Sequence, residues 1–177
     1  MENTYLNSVI KQLSSYKAVG DKTFLQLTDE QLHWQPNEES NSIATIIEHM
    51  HGNMLSRWTD FLTTDGEKEW RNRDAEFENQ NNSRESLLAK WNEGWECLFN
   101  ALNSLTEADL EKEVTIRQEK HTVTDAIYRQ LAHYPYHIGQ IVYIGKMLRN
   151  GDWTSLSIPK GRSVAYNAAK IAEAKQK

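Results

Sequence analysis

The sequence predicts an all-α protein, a four-helix bundle with at most a minor β-hairpin. Three observations point there. Proline is scarce, at Pro36, Pro135 and Pro159 in 177 residues, so breakers of regular structure are few. Four segments repeat apolar residues at spacings of three and four, the period of one helix face. Three of those segments open on a Ser or Thr suited to cap a helix N-terminus.

The first predicted helix covers 4–27, where Leu6, Ile10, Leu13 and Tyr16 form a stripe later joined by Phe24. Thr28-Asp-Glu-Gln-Leu reads as a turn or helical stub, and Pro36-Asn37 breaks the chain. Ser40-Asn41-Ser42 caps a second helix over 42–63, with Ile43, Ile46, Ile47, Met50, Met54, Trp58 and Phe61 on one face. Asp65-Gly66 closes it, and the charged, Asn-rich stretch from Glu67 to Asn82 reads as a long connection across the bundle. Ser83 caps a third helix over 83–105, striped by Leu87, Leu88, Trp91, Trp95, Leu98 and Leu102. Between 111 and 123 the β-branched residues permit a small hairpin. Thr122, with Asp125 three residues on, opens a fourth helix over 122–149, stopped by Asn150-Gly151. Its apolar residues wrap much of the circumference, so it is expected to be the most buried helix. Pro135 lies within it and predicts a bend. The tail is expected to be irregular, with a last helical turn over 168–175.

Length suits one domain, 1–177. Acidic and basic residues are interspersed at a net charge of −5, which does not support a nucleic-acid partner. Met1-Glu-Asn-Thr-Tyr has neither a basic region nor an apolar run, so no signal peptide is expected. No apolar run is long enough for a membrane span. The single cysteine, Cys97, fits a reducing compartment, and the cytoplasm is the expected location.

Six histidines carry the chemistry: His33, His49, His51, His121, His133 and His137. His133 and His137 stand one turn apart on the apolar fourth helix, so both imidazoles face one way. Buried imidazoles need partners, and one shared metal ion satisfies both. A third ligand must come from another helix. On the second helix, His49 lies ~120° to one side of the apolar stripe and His51 ~80° to the other, at ~100° per residue. Periodicity does not choose between them. Asn53 follows His49 by one turn.

Ser40-Asn-Ser-Ile-Ala-Thr-Ile-Ile-Glu-His49, Asn53 with Arg57-Trp58, His133-Tyr-Pro-Tyr-His137-Ile-Gly-Gln-Ile and Leu156-Ser-Ile-Pro-Lys-Gly-Arg-Ser together resemble the DinB/YfiT-like superfamily of metal-dependent proteins, in a bacterial branch of unknown function. The resemblance runs over nearly the whole chain. It implies a bundle of up-up-down-down type, often dimeric, with nickel or zinc held by His49, His133 and His137. It also implies thiol-dependent transferases and isomerases, acting with low-molecular-weight thiols, among the relatives. Pro135 between the two helix-four histidines departs from the assumed pattern.

Three neutral imidazoles leave coordination positions open, which reads as catalytic rather than structural. An open position activates a water or takes up an added thiol, supporting hydrolysis or thiol transfer on a small molecule. Asn53, Gln140 and Tyr134 are candidates to support the ligands or meet a substrate, with packing roles as the alternative. Arg57 is a candidate for an anionic substrate or a surface salt bridge. Trp91 and Trp95 read as core or dimer interface, and Cys97 as an ordinary buried thiol. Glu48, beside His49, is expected to face elsewhere, leaving no carboxylate near the histidines in sequence. The competing class is a non-enzymatic metal-binding or stress-associated interaction protein.

Overall fold

A computed structural model describes residues 4–78 and 81–175. Residues 1–3, at the start of the segment read for a signal peptide, 79–80, inside the long connection, and 176–177 lie outside the described residues. The rest forms six α-helices and one two-stranded sheet among the described residues. The long helices are α1 (Thr4–Phe24), α3 (Ile43–Trp58), α4 (Arg84–Ser104) and α5 (Val123–Arg149), with short α2 (Asp29–His33) and C-terminal α6 (Ser163–Ala174). Each long helix packs on two others, in the ring α1–α4–α3–α5, and their apolar faces share one core.

The caps form as their chemistry predicts. Ser42 accepts from the Thr45 amide, Ser83 from Ser86 and Thr122 from Asp125. Thr28 and Gln31 close a reciprocal capping box on α2, which makes the expected stub a true helical turn. α5 runs through Pro135 to Arg149 and is followed by its cap Asn150, which takes a positive φ of 48°.

Three expectations need correction. α3 stops at Trp58 rather than near residue 63: Asp60 takes a positive φ of 50°, and its carbonyl accepts from the Thr63 and Thr64 amides in a tight turn. α6 begins at Ser163, well before residue 168, and all of it is exposed. The most buried helix is α3, with 12 of 16 residues buried against 9 of 27 in α5. The connection after α3 folds back over it through a 3₁₀ turn at Asp74–Phe77, so α3 is covered on the side that a bundle helix usually leaves to solvent. α5 keeps an outer stripe of Tyr136, Tyr143 and Met147 in solvent. Trp91 and Trp95 are core residues; the Trp91 indole donates to Asp21 at 2.7 Å.

The hairpin pairs β1 (Glu113–Ile116) with β2 (Glu119–Thr122) in antiparallel register, Val114 opposite His121. Its two turn residues, Arg117 and Gln118, have φ of 55° and 65°. That left-handed pair normally calls for Asn-Gly. Here Asp65 compensates: its carboxylate accepts from the amides of Arg117 and Gln118 at 2.8 Å each and of Glu67 at 2.7 Å. Partial burial opposes ionisation of Asp65, but these three amides and the Thr115 side chain outweigh it and bring its pKa down to about 2. Asp65→Ala should therefore cost about 2–3 kcal/mol at neutral pH, the scale of hydrogen bonds to a charged group. Because the folded pKa is depressed, this contribution is present above pH ~4 and fades as pH falls towards 2. Urea titrations of both proteins at pH 7 and pH 2.5 check it. A constant difference across that window would exclude the assignment.

Candidate metal centre

Two helices supply three imidazoles. His49 comes from α3, and His133 and His137 from successive turns of α5. Their ring nitrogens converge: His133 Nε2 is 3.3 Å from His49 Nε2 and 3.0 Å from His137 Nε2. The three ligand atoms lie within 4.8 Å of one another, so the group can hold a metal ion.

The opposite ring nitrogens decide how the cluster is protonated. His49 Nδ1 lies 3.0 Å from Glu76 Oε2, His133 Nδ1 3.2 Å from Gln130 Oε1 and His137 Nδ1 2.8 Å from Gln140 Oε1. Each partner is an oxygen acceptor, so each Nδ1 carries the proton and donates it. With Nδ1 engaged in this way, the Nε2 of each ring is the atom turned towards the other two and available as a metal ligand. At ~2.0–2.1 Å per Zn–N bond, tetrahedral nitrogens stand ~3.3 Å apart, close to the 3.3 Å and 3.0 Å that separate His133 Nε2 from the other two. Burial favours the neutral ring of His133 and brings it down to about 3, helped by the neighbouring histidines and by Arg57 and Arg71. Burial lowers His137 as well, against the opposing Gln140 hydrogen bond.

His51, the alternative that periodicity left open, points to α4, its Nε2 2.9 Å from Glu93. His33 pairs with the Asn82 carbonyl at 2.9 Å, and His121 sits in the hairpin. Glu48 faces away as expected, bound to Lys90 and Asn82.

The carboxylate that the sequence did not disclose is Glu76. It lies 27 residues beyond His49, in the 3₁₀ turn that covers α3. Arg71 clamps it with two bonds, Nε to Oε1 at 2.7 Å and Nη2 to Oε2 at 2.9 Å. Burial would raise the Glu76 carboxyl, but hydrogen bonds from His49 and Arg71 and the Arg71 charge hold it below the usual range. Glu76 thus stays anionic and fixes the His49 tautomer, as a carboxylate behind a metal-binding histidine does. Gly52 makes room: a Cβ there would overlap the Glu76 carboxylate. A glycine inside a helix is a sequence signal of close approach, and this one marks the side of α3 where Glu76 enters. Gln130, also unforeseen, stands three residues before His133, as Gln140 stands three after His137.

Among the other candidates, Gln140 holds His137. Asn53 is buried and accepts from the Tyr134 hydroxyl at 3.1 Å. Tyr134 is fully buried and itself accepts from the Trp58 indole at 3.0 Å, so it positions Asn53 from beneath. Arg57 is buried rather than on the surface; it donates to the Gly66 carbonyl and to Glu67. A cavity of about 260 Å³ opens beside the histidines and is lined by His49, Asn53, Gln130 and His133 together with arginines.

A comparison with protein families matches residues 1–162 to a family described as a protein of unknown function, DUF1572. The chain belongs to the DUF1572 family. No curated protein and no solved structure matches it. All residues of the DUF1572 site fall inside the match, whereas α6 starts one residue beyond it. No described helix is long and apolar enough to cross a membrane.

Proposed function

We propose that this DUF1572 protein is a metal-dependent enzyme that binds one divalent cation, nickel or zinc, on His49, His133 and His137 and acts on a small molecule. One observation carries the reading: three Nε2 atoms converge while every Nδ1 faces an oxygen acceptor. A purely structural zinc site is closed by four protein ligands; among the described residues this group offers three. A cation bound there supplies Lewis acidity and an open position.

The protein's own groups bear on the reaction type. Glu76, the carboxylate bonded to the cluster, is locked between His49 and Arg71 and is not free to take a proton from water. A thiol, with a pKa near 8.5, needs far less help to ionise than water. Transfer of a low-molecular-weight thiol to a small electrophile is therefore the leading reaction, and hydrolysis the second. The reading takes the chain as one cytoplasmic domain with a four-helix bundle of the DinB/YfiT-like type.

The test is to strip the protein with chelator, record helicity by circular dichroism, and add back nickel or zinc. Assays use glutathione with monochlorobimane for thiol transfer, and p-nitrophenyl acetate for hydrolysis. Helicity should survive stripping, because 27 apolar side chains are buried among the described residues and the large aliphatic and aromatic ones contribute ~1.5–3 kcal/mol each when fully buried. Activity should return only with metal. A protein inert with both metals in both assays would instead be the non-enzymatic metal-binding or interaction protein.

The same reading includes a homodimer. Tyr136, Tyr143 and Met147 form an exposed stripe on α5, and α6 exposes Val164, Tyr166 and Ile171. Specific interfaces bury ~1,600 Å² in total, and these two faces supply apolar area for one. Sedimentation at micromolar concentration should give about twice the 20.6 kDa chain mass. A monomer alone would rule the dimer out, and Tyr143→Glu should shift a true dimer towards monomer.

A further inference from the structure

The cavity beside the histidines is lined by Arg57, Arg71, Arg73, Arg117 and Arg129, in a protein whose net charge is −5. Among the described residues its other lining side chains are imidazoles and amides, and none is acidic or apolar. Two carboxylates reach these guanidiniums. Glu67 pairs with Arg57 and Arg117 and stands 3.7 Å from Arg71, and Glu76 pairs with Arg71. Arg73 and Arg129 form no ion pair among the described residues; Arg73 instead lies over the Phe77 ring at 5.0 Å. Five positive charges against two negative ones leave an excess of three at one concave site.

The buried members repeat the message. The side chains of Arg57 and Arg71 are 6% and 2% exposed, yet Arg57 Nε and Arg71 Nη1 have no hydrogen-bond partner. Buried donors of this kind call for an acceptor. Clustered like charges at a partly desolvated site repel unless an anion enters, and guanidinium forks suit the paired oxygens of carboxylate and phosphate.

We infer that this cavity binds the anionic group of a small substrate, a phosphate or a carboxylate, with Arg73, Arg117 and Arg129 at its mouth and its reacting end towards His49 and His133. This rests on the reading of the histidine cluster as a reaction centre. At about 260 Å³ the cavity suits a small polar metabolite. A long polyanion is disfavoured, because the acidic balance of the chain repels one. Arg117 is aimed by the hairpin turn that Asp65 clamps, so this otherwise peripheral hairpin has a place in the site.

The test is isothermal titration of metal-free protein at low salt, with inorganic phosphate and with succinate as separate arms. Saturable one-to-one binding of at least one anion is expected, weakening as sodium chloride is added, and the stronger arm identifies the group. Arg73 and Arg129 are exposed, so substituting them spares the fold. The R73Q/R129Q double variant should bind at least tenfold more weakly, Arg129→Glu more weakly than Arg129→Gln, and Lys11→Gln as wild type. No binding of either anion, or unchanged binding in R73Q/R129Q, would overturn the inference. Binding that requires zinc and survives the double substitution would overturn it too, since the metal would then be taking the anion. Zinc uptake by the same preparation is measured separately. Arginine-dependent anion binding in a protein that takes up no zinc supports the anion site and refutes the metal reading.

Discussion

Replacing His137 by Ala is expected to abolish stoichiometric binding of zinc or nickel, whereas His51→Ala leaves it intact. His137 supplies one of three converging Nε2 atoms, 3.0 Å from that of His133. Apparent zinc binding at full four-ligand protein sites runs to ~10–16 kcal/mol. One imidazole of four therefore carries roughly 2.5–4 kcal/mol, about 60- to 700-fold in affinity. His51 is held by Glu93 on the other side of α3 and has no route to the cluster. Elemental analysis after gel filtration, with competition against a chromophoric chelator, gives stoichiometry and affinity. Retention of metal by the His137 variant, or its loss from the His51 variant, would mean that the ligand set is different.

Glu76 should matter twice, to the metal and to the fold. Glu76→Gln keeps the shape but removes the charge behind His49, and losses of this type lower metal affinity by ~10–100-fold. Glu76→Ala also strands Arg71, whose side chain is 2% exposed. Breaking a buried pair from one side costs ~3–5 kcal/mol, which is a large part of the ~5–15 kcal/mol that holds a typical domain together. A double substitution, Arg71→Met with Glu76→Leu, should recover much of the stability and none of the metal affinity. Urea midpoints and chelator competition on the three variants separate the two roles. If Glu76→Ala matches the wild type in both measurements, the carboxylate is incidental.

The helical elements were legible because their signals are local. Ser42, Ser83 and Thr122 cap the helices they were expected to cap, each by bonding an amide three residues ahead. The His133–His137 pair was legible for the same reason, since spacing on one helix sets its direction. Glu76 and Arg71 were not. They sit in a charged, Asn-rich stretch with no period, which has the composition of a solvated loop. Gly52 was the one local sign that something crosses α3 there, and it names a close approach without naming the partner. The hairpin turn was hard to recognise because Arg117 and Gln118 are poor left-handed residues; the group that makes them acceptable is Asp65, 52 residues earlier.

The sequence by itself determined the helical class, the caps, the hairpin's permitted place and the two α5 histidines, all of which follow from interactions within about four residues. Periodicity leaves His49 and His51 equal, because both flank the apolar stripe; the tertiary structure places His49 beside the α5 pair and His51 against Glu93 of α4. It also moved the deepest burial from α5 to α3 and gathered arginines from α3, the long connection, the hairpin and α5 around one cavity. The histidine placements depend on which surfaces meet across 27 to 84 residues of chain. The period of a helix reports the direction in which a side chain leaves its own axis and carries no information about what stands opposite.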